Sequence, residues 1–156
     1  MRELENLDYD VYVLQESHVS DKRQADIIAR CWRGKCLWSF CTGKSGGVAI
    51  FFSANISGSV CRFIYDSDGR ILSVLISIGE LMLNVVNIYA PNLVSDRKSF
   101  FSCLHQFFIS QRELIIGGDF NCVDSTSDRL NSDNVHSSEK ISLSSLKSNF
   151  LLTNLA

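Results

Sequence analysis

The chain is organised around one stretch, Leu114-Ile115-Ile116-Gly117-Gly118-Asp119-Phe120-Asn121-Cys122. An apolar run that stops at two glycines is typical of a short, fully buried strand. Polar side chains just past the carboxyl end of such a strand lie where open α/β sheets bind their ligands. The stretch therefore predicts a functional site at Asp119 and Asn121. From these residues alone, an ordinary Gly-Gly-Asp turn is an equally good interpretation.

The composition is that of a globular protein. The 156 residues, of which 46% are hydrophobic and 21% charged, suit one domain over residues 1–156. A formal net charge of -2 provides no global basic field, so local groups would have to hold a nucleic acid. No apolar run approaches the roughly 20 residues that span a bilayer, and no secretory leader is visible. We therefore expect an intracellular protein that does not engage a membrane. The sequence leaves the oligomeric state open, and a monomer is our expectation.

The six cysteines are expected to be reduced thiols, as in other intracellular proteins. Three of them, Cys31, Cys36 and Cys41, are evenly spaced as C-x4-C-x4-C. Structural zinc sites favour closer pairs with further Cys or His residues. Packing in the core is therefore the preferred interpretation of these cysteines.

The apolar pattern predicts an α/β sandwich with an antiparallel meander in the middle of the chain. The first predicted helix has Ser20 as its N-cap and ends at Gly34, and Pro91 closes the meander. A second predicted helix carries a stripe of apolar side chains from Phe100 to Phe108, with His105 at its surface. Strands are predicted over residues 9–15, 48–52, 59–65, 71–78, 81–89 and 113–118, and helices over 21–33, 96–110 and from 138.

Three of the predicted strands end in unusual polar groups. Glu16 follows the first strand, Tyr89 ends the meander, and Asp119 follows the buried strand. If the two sheets pack together, these ends can converge on one edge. Glu16 and Asp119 then fit a hard divalent cation such as Mg²⁺, which takes one or two carboxylates and keeps several waters. Considered without the other motifs, Tyr89 is an aromatic residue at the end of a strand, and Asn92 is a turn residue that follows Pro91.

Four short motifs, in this order and spacing, resemble those of the endonuclease/exonuclease/phosphatase superfamily, which has the DNase I-like fold. They are Leu14-Gln15-Glu16-Ser17-His18, Ser45-Gly46-Gly47-Val48-Ala49-Ile50, Asn87-Ile88-Tyr89-Ala90-Pro91-Asn92 and Gly117-Gly118-Asp119-Phe120-Asn121. More closely, the chain resembles the apurinic-type endonuclease domain of LINE-class non-LTR retrotransposons, where an Asp-Arg pair, here Asp128-Arg129, follows the last motif. The resemblance covers residues 8–152 and implies a four-layer sandwich of two mixed sheets flanked by helices.

The resemblance also implies roles for individual residues. Glu16 and Asp119 would be ligands of Mg²⁺, with Mn²⁺ as a possible substitute, and Asp119 would orient or deprotonate the attacking water. Tyr89 would place its phenol near the phosphate oxygens. A phosphodiester resists an anionic nucleophile, so a cation and neutral donors are needed to offset the charge that develops on its oxygens.

The remaining implied roles concern the DNA backbone. Asn121 would fix the scissile phosphate and support Asp119, Asn92 would hold the surrounding geometry, and Arg129 would contact substrate. Further cations that we expect near DNA are Lys22, Arg23 and Lys44. The resemblance therefore implies a Mg²⁺-dependent endonuclease that nicks DNA, located in the nucleus if it is functional.

The chain departs from the superfamily at both ends. A preceding strand with a metal-assisting Asn and the later Ser-Arg-Ile-Asp and Ser-Asp-His motifs are not visible. Without these end segments we expect an incomplete fold. We also expect impaired activity, because a positioned acid or base contributes about 10² to 10⁴ in rate. Two alternatives stay open: a non-catalytic remnant of a retrotransposon reading frame, and a phosphatase of the same superfamily.

Overall fold

The computed structural model of the protein describes residues 4, 7–41, 43, 46–110, 113–122, 137–150 and 152–153, without the side chains of 137–142 and 149. The described residues form two compact units. The first unit comprises residues of 1–89 and 107–119, and the second unit comprises residues of 90–106 and 120–156.

Two sheets make up most of the first unit. The first sheet has three antiparallel strands in the order β1-β3-β2, and the second sheet has four strands in the order β4-β5-β6-β7. In the second sheet β4, β5 and β6 form an antiparallel meander, and β7 pairs with β6 in parallel. The strands are β1 Val11–Leu14, β2 Lys35–Ser39, β3 Val48–Phe52, β4 Gly58–Tyr65, β5 Ile71–Ile78, β6 Leu81–Tyr89 and β7 Glu113–Asp119. The predicted meander and its turns are confirmed.

Strand β3 is buried on both faces because it lies between the second sheet and a helix. Val48, Ile50 and Phe52 pack into a core shared with β5 and β6. On the opposite face Ala49 and Phe51 pack with Tyr12 and Trp32, and with Ile28 of helix α1, Lys22–Ala29. Because both faces of β3 are buried, its sequence is an unbroken apolar run and not an alternating one.

The first helix differs from the sequence-based prediction at both ends. Its N-cap is Asp21 and not Ser20: the Asp21 carboxylate accepts from the Gln24 backbone N–H at 2.9 Å, since a carboxylate caps as well as a hydroxyl. The helix ends at Ala29 and not at Gly34. Trp32 lies beyond it, where its indole N–H donates to the Phe52 carbonyl oxygen at 2.8 Å. This tertiary hydrogen bond replaces the predicted last turn.

Strand β2 was not predicted, because Lys35–Ser39 lacks clear alternation. It forms by pairing with β3, and Trp38 packs against Phe51 with ring centroids 5.2 Å apart. Strand β7 was predicted as fully buried, and this is wrong. Among the described strands β7 lies at the edge of its sheet, and Ile115 is 39% exposed.

The described part of the second unit contains two helices, α2 Val94–Cys103 and α3 Ser137–Phe150, which pack against each other. A 3-10 turn, Leu104–Phe107, follows α2 and ends the predicted helix early. Of the predicted apolar stripe, only Phe101 and Leu104 are buried. His105 is exposed, as expected, and stacks on Phe150. No helix in the described part of the chain is long and apolar enough to cross a membrane.

Candidate functional site

Glu16 is presented by a loop that two glycines hold in place. The Ser17 N–H donates to the Gly47 carbonyl oxygen at 2.9 Å, and the His18 N–H donates to the Gly46 carbonyl oxygen at 3.2 Å. Gly47 has a φ of +82°, and a Cβ there would lie 2.6 Å from the Ser17 Oγ. Glu16 itself has a φ of +51°, which is uncommon for a residue with a side chain. Gly46 and Gly47 therefore hold the Glu16 loop in position.

Asn87 joins the two sheets directly below this loop. Its side-chain amide donates to the carbonyl oxygens of Leu14 at 2.9 Å and Ala49 at 2.8 Å. Its Oδ1 accepts from the Gln15 Nε2 at 2.7 Å. Asn87 is fully buried, and two of its partners, Gln15 and Leu14, lie one and two residues before Glu16. Sequence reasoning gave Asn87 no role, although a polar residue inside the apolar β6 run was a usable signal.

Tyr89, the last residue of β6, donates its phenol O–H to the Glu16 carboxylate. This hydrogen bond, burial and the negative charge of Glu16 raise the pKa of Tyr89, as does the charge of Asp119, whereas Arg70 acts in the opposite direction. The neutral form of the phenol is the form that donates to the carboxylate. Tyr89 is therefore a protonated, neutral hydrogen-bond donor at physiological pH.

Asp119 reaches the same place through the parallel pairing of β6 and β7, which sets Asp119 beside Tyr89 in register. Gly118 precedes it with a φ of +131°, and a Cβ there would overlap the Ile88 carbonyl oxygen. The Asp119 side chain is exposed, and its charge acts on the Tyr89 phenol. The ends of β1, β6 and β7 therefore bring together Glu16, Tyr89 and Asp119, as predicted for three strand ends.

Arg70 is a cation of this site that sequence reasoning missed. Its Nη1 donates to the Tyr89 carbonyl oxygen at 3.1 Å. Its guanidinium carbon lies 5.1 Å from the centroid of the Tyr89 ring, within the range of a cation–π interaction. The sequence feature that could have pointed to Arg70 is its position directly after the Asp-Ser-Asp-Gly turn.

The other predicted site residues belong to the second unit or lie outside the described residues. Asn121 has a φ of +49°, and its amide donates to the Ala90 carbonyl oxygen at 2.7 Å. Asn92 is exposed, and its carbonyl oxygen accepts from the Nη1 of buried Arg97 at 2.7 Å. Arg129 and its neighbour Asp128 lie outside the described residues, as does Lys44.

The donor set at the strand ends fits a hard divalent cation. Glu16 and Asp119 provide carboxylate oxygens, and Mg²⁺ binds through one or two carboxylates while it keeps several waters. In the part of the chain that the structure describes, no group of three or more His, Cys, Asp or Glu side chains is placed to hold a metal. A site here would therefore rely on these two carboxylates, water and substrate oxygens.

The evenly spaced cysteines differ in their surroundings. Cys41 is buried, Cys36 is half-buried and Cys31 is exposed, so the expectation of core packing is right for Cys41 and wrong for Cys31. Burial raises the pKa of the Cys36 thiol to about 11. A thiol that stays protonated is a poor metal ligand, because the thiolate is the form that binds.

Replacing Asn87 with alanine is expected to lower the free energy of unfolding by about 2–4 kcal/mol, because buried acceptors lose their donor. Urea denaturation of the wild type and the variant measures this loss. The matched control is Asn55→Ala: Asn55 is exposed, and surface changes usually stay within about 0.5 kcal/mol. Equal losses in the two variants would show that Asn87 does not tie the sheets together.

The titration of Tyr89 gives a prediction for alkaline pH. The Glu16–Tyr89 hydrogen bond should contribute its full stability below the ordinary phenol pKa of about 10. That contribution is lost as the pH rises through the raised pKa of Tyr89, because the folded state holds the proton more tightly. The absorbance of phenolate in the wild type, minus that in Tyr89→Phe, follows this titration.

Glu16→Gln is expected to move the pKa of Tyr89 downward, because it removes the negative charge while keeping an acceptor. Glu80→Gln is the control, since Glu80 is exposed in the β5–β6 turn. A Tyr89 pKa at or below the ordinary phenol value in the wild type would contradict the geometry described here.

Comparison with known proteins agrees with this fold and these motifs. A family model, described as the endonuclease/exonuclease/phosphatase family, matches residues 1–136. The chain therefore belongs to the endonuclease/exonuclease/phosphatase family, and the predicted resemblance is confirmed.

A relative from Xenopus laevis, "Transposon TX1 uncharacterized 149 kDa protein", is 32% identical over 116 residues, which are 72% of this chain and 9% of that protein. The AP endonuclease LMAP from Leishmania major is similar with a TM-score of 0.76 at 16% identity, over 96% of this chain and 60% of that chain. An AP endonuclease from Archaeoglobus fulgidus is similar with a TM-score of 0.68 at 18% identity, over 95% of this chain and 63% of that chain. The chain has the predicted DNase I-like fold and spans less than two thirds of these relatives.

Proposed function

We propose that the chain is an endonuclease domain of a LINE-class retrotransposon protein, a Mg²⁺-dependent hydrolase that nicks the DNA backbone. The observation that carries this proposal is the convergence of Glu16, Tyr89 and Asp119 at three strand ends. The family of nucleases and phosphatases and the transposon relative support it.

The carboxylates provide the metal-binding part of the proposed site. Glu16 and Asp119 would hold the Mg²⁺, which supplies Lewis-acid stabilisation of the charge on the phosphate oxygens. Mn²⁺ has similar ligand preferences and is a possible substitute. The left-handed backbone of Glu16 directs a side chain that a regular strand would not present, and such conformations cluster at functional sites.

Tyr89 and Asp119 provide the parts that act on the substrate. The Tyr89 phenol, which its surroundings keep protonated, can donate to the oxygen in front of it: the Glu16 carboxylate here, or a phosphate oxygen of bound DNA. A neutral donor offsets negative charge on that oxygen without a proton having to be lost. The exposed Asp119 carboxylate would orient or deprotonate the attacking water. The roles of Asn92, Asn121 and Arg129 in substrate binding remain proposals from the resemblance.

Nicking of supercoiled plasmid tests the proposal. The purified protein should convert supercoiled to open-circular DNA faster in Mg²⁺ than in EDTA. Glu16→Gln should lower the rate in Mg²⁺. Asp26→Asn, an exposed substitution on α1, should leave the rate unchanged. Rising salt should weaken DNA binding, because contacts to phosphates release counterions.

Two outcomes would contradict the proposal and favour the alternatives. Hydrolysis of a small phosphomonoester such as p-nitrophenyl phosphate without plasmid nicking would favour a phosphatase. DNA binding without cleavage in Mg²⁺ or Mn²⁺ would favour a non-catalytic remnant.

A further inference from the structure

Arg70 contacts Tyr89 through its backbone and its side chain. The Tyr89 N–H donates to the Arg70 carbonyl oxygen at 2.8 Å. The Arg70 Nη1 donates in return to the Tyr89 carbonyl oxygen at 3.1 Å, and the guanidinium lies over the ring at 5.1 Å. These contacts fix the backbone of Tyr89 and one face of its ring, and so limit where the phenol can point.

The backbone of Arg70 is itself fixed by the preceding turn. The Asp66 Oδ1 accepts from the N–H groups of Arg70 at 2.9 Å and Ile71 at 2.8 Å. It also accepts from the hydroxyl of Ser39 on β2 at 3.2 Å, and Ser39 is fully buried. Because the backbone of Arg70 is fixed, only its side chain has to be ordered for the guanidinium to contact Tyr89.

The same turn supports the Glu16 loop. The Gly47 N–H donates to the Gly69 carbonyl oxygen at 2.9 Å, and the Gly47 carbonyl oxygen accepts from the Ser17 N–H. Residues 66–70 therefore support both partners of the hydrogen bond between Glu16 and Tyr89.

We propose that Arg70 is a positioning residue for the hydrolysis proposed above: it holds the backbone and ring of Tyr89 so that the phenol stays directed at the Glu16 carboxylate. Arg70 acts on Tyr89 and does not contact the DNA, because the Arg70 guanidinium already contacts the Tyr89 carbonyl oxygen and ring. This inference rests on the proposed function only for its catalytic consequence; the contact itself can be tested without any activity.

The first test is an NMR measurement on protein with ¹³C-labelled tyrosine, in which Tyr89→Phe assigns the Tyr89 ring signals. Arg70→Gln should shift these signals, because the ring loses the cation over its face. Arg62→Gln is the matched control, since Arg62 is exposed on β4, and it should leave them in place. If Arg70→Gln does not fold, Arg70→Lys keeps the charge but loses the planar guanidinium and should still shift the signals. Unchanged Tyr89 signals in a folded variant would overturn the inference.

The second test uses the nicking assay. Arg70→Gln should lower kcat by about 10-fold to 10²-fold, as expected for a misplaced catalytic group, with KM changed less than about 2-fold. Arg70→Lys should recover part of kcat. A raised KM with unchanged kcat would overturn the inference, because it would show uniform binding of substrate by Arg70. If the wild type does not nick DNA, the proposed function fails, and the NMR result still decides the contact.

Discussion

Replacing Asp119 with asparagine is expected to lower the rate of Mg²⁺-dependent DNA nicking by about 10²-fold to 10⁴-fold, the usual contribution of a positioned acid or base. Asparagine keeps the size of the side chain but cannot accept a proton, and it is a weaker ligand for Mg²⁺ than a carboxylate. Plasmid nicking at saturating Mg²⁺ measures the rate. Asp26→Asn is the control, because it removes the same charge from an exposed position on α1.

A second readout of Asp119→Asn does not need activity. The charge of Asp119 helps to raise the pKa of Tyr89, so its removal should lower that pKa. A lowered pKa with an unchanged nicking rate would place Asp119 near Tyr89 but exclude it from the chemistry. An unchanged pKa in a folded variant would contradict the placement of Asp119 beside the phenol.

Gly118→Ala is expected to give the largest loss of stability, more than about 3 kcal/mol, which is at the upper end for single substitutions. Its φ of +131° strains any residue with a side chain, and the added Cβ would overlap the Ile88 carbonyl oxygen on β6. The parallel pairing of β6 and β7 would have to open to admit the methyl group. Thermal unfolding followed by circular dichroism should show a fall in Tm of about 2–4 °C for each kcal/mol at this chain length.

Gly79→Ala separates the two causes of that loss. Gly79 also has a positive φ, +59°, but a Cβ there meets nothing within 4 Å. Its replacement should cost about 1–2 kcal/mol, from the backbone strain alone. Equal losses at the two positions would show that the overlap with the Ile88 carbonyl contributes nothing.

The two large effects concern adjacent residues with different tasks. Gly118 lets β7 approach β6 closely, and that approach sets Asp119 beside Tyr89 in register. Glu16 arrives from the other sheet through a loop that Gly47 supports. The glycines of two of the motifs therefore serve the geometry of the carboxylates and not the chemistry itself. Their substitution should reduce activity through misplacement and instability together.

By itself, the sequence determined the elements that local physics controls. The bounds of β3, β5 and β6 were predicted to the residue, because Gly and Asp-Gly turns flank runs of β-branched residues. It also predicted that the strand ends carrying Glu16, Tyr89 and Asp119 converge, because polar side chains at the ends of apolar strands stand out against their surroundings.

Only the tertiary structure decided what depends on distant partners. Strand β2 forms because its backbone pairs with that of β3. The first helix ends early because the Trp32 indole N–H donates a hydrogen bond to the Phe52 carbonyl oxygen. Asn87 and Arg70 acquire their roles from residues far along the chain, Leu14 and Tyr89. The pKa of Tyr89 likewise depends on charges from three separate segments. Pairing, burial and electrostatics between segments are non-local, so no periodicity or motif along the chain encodes them directly.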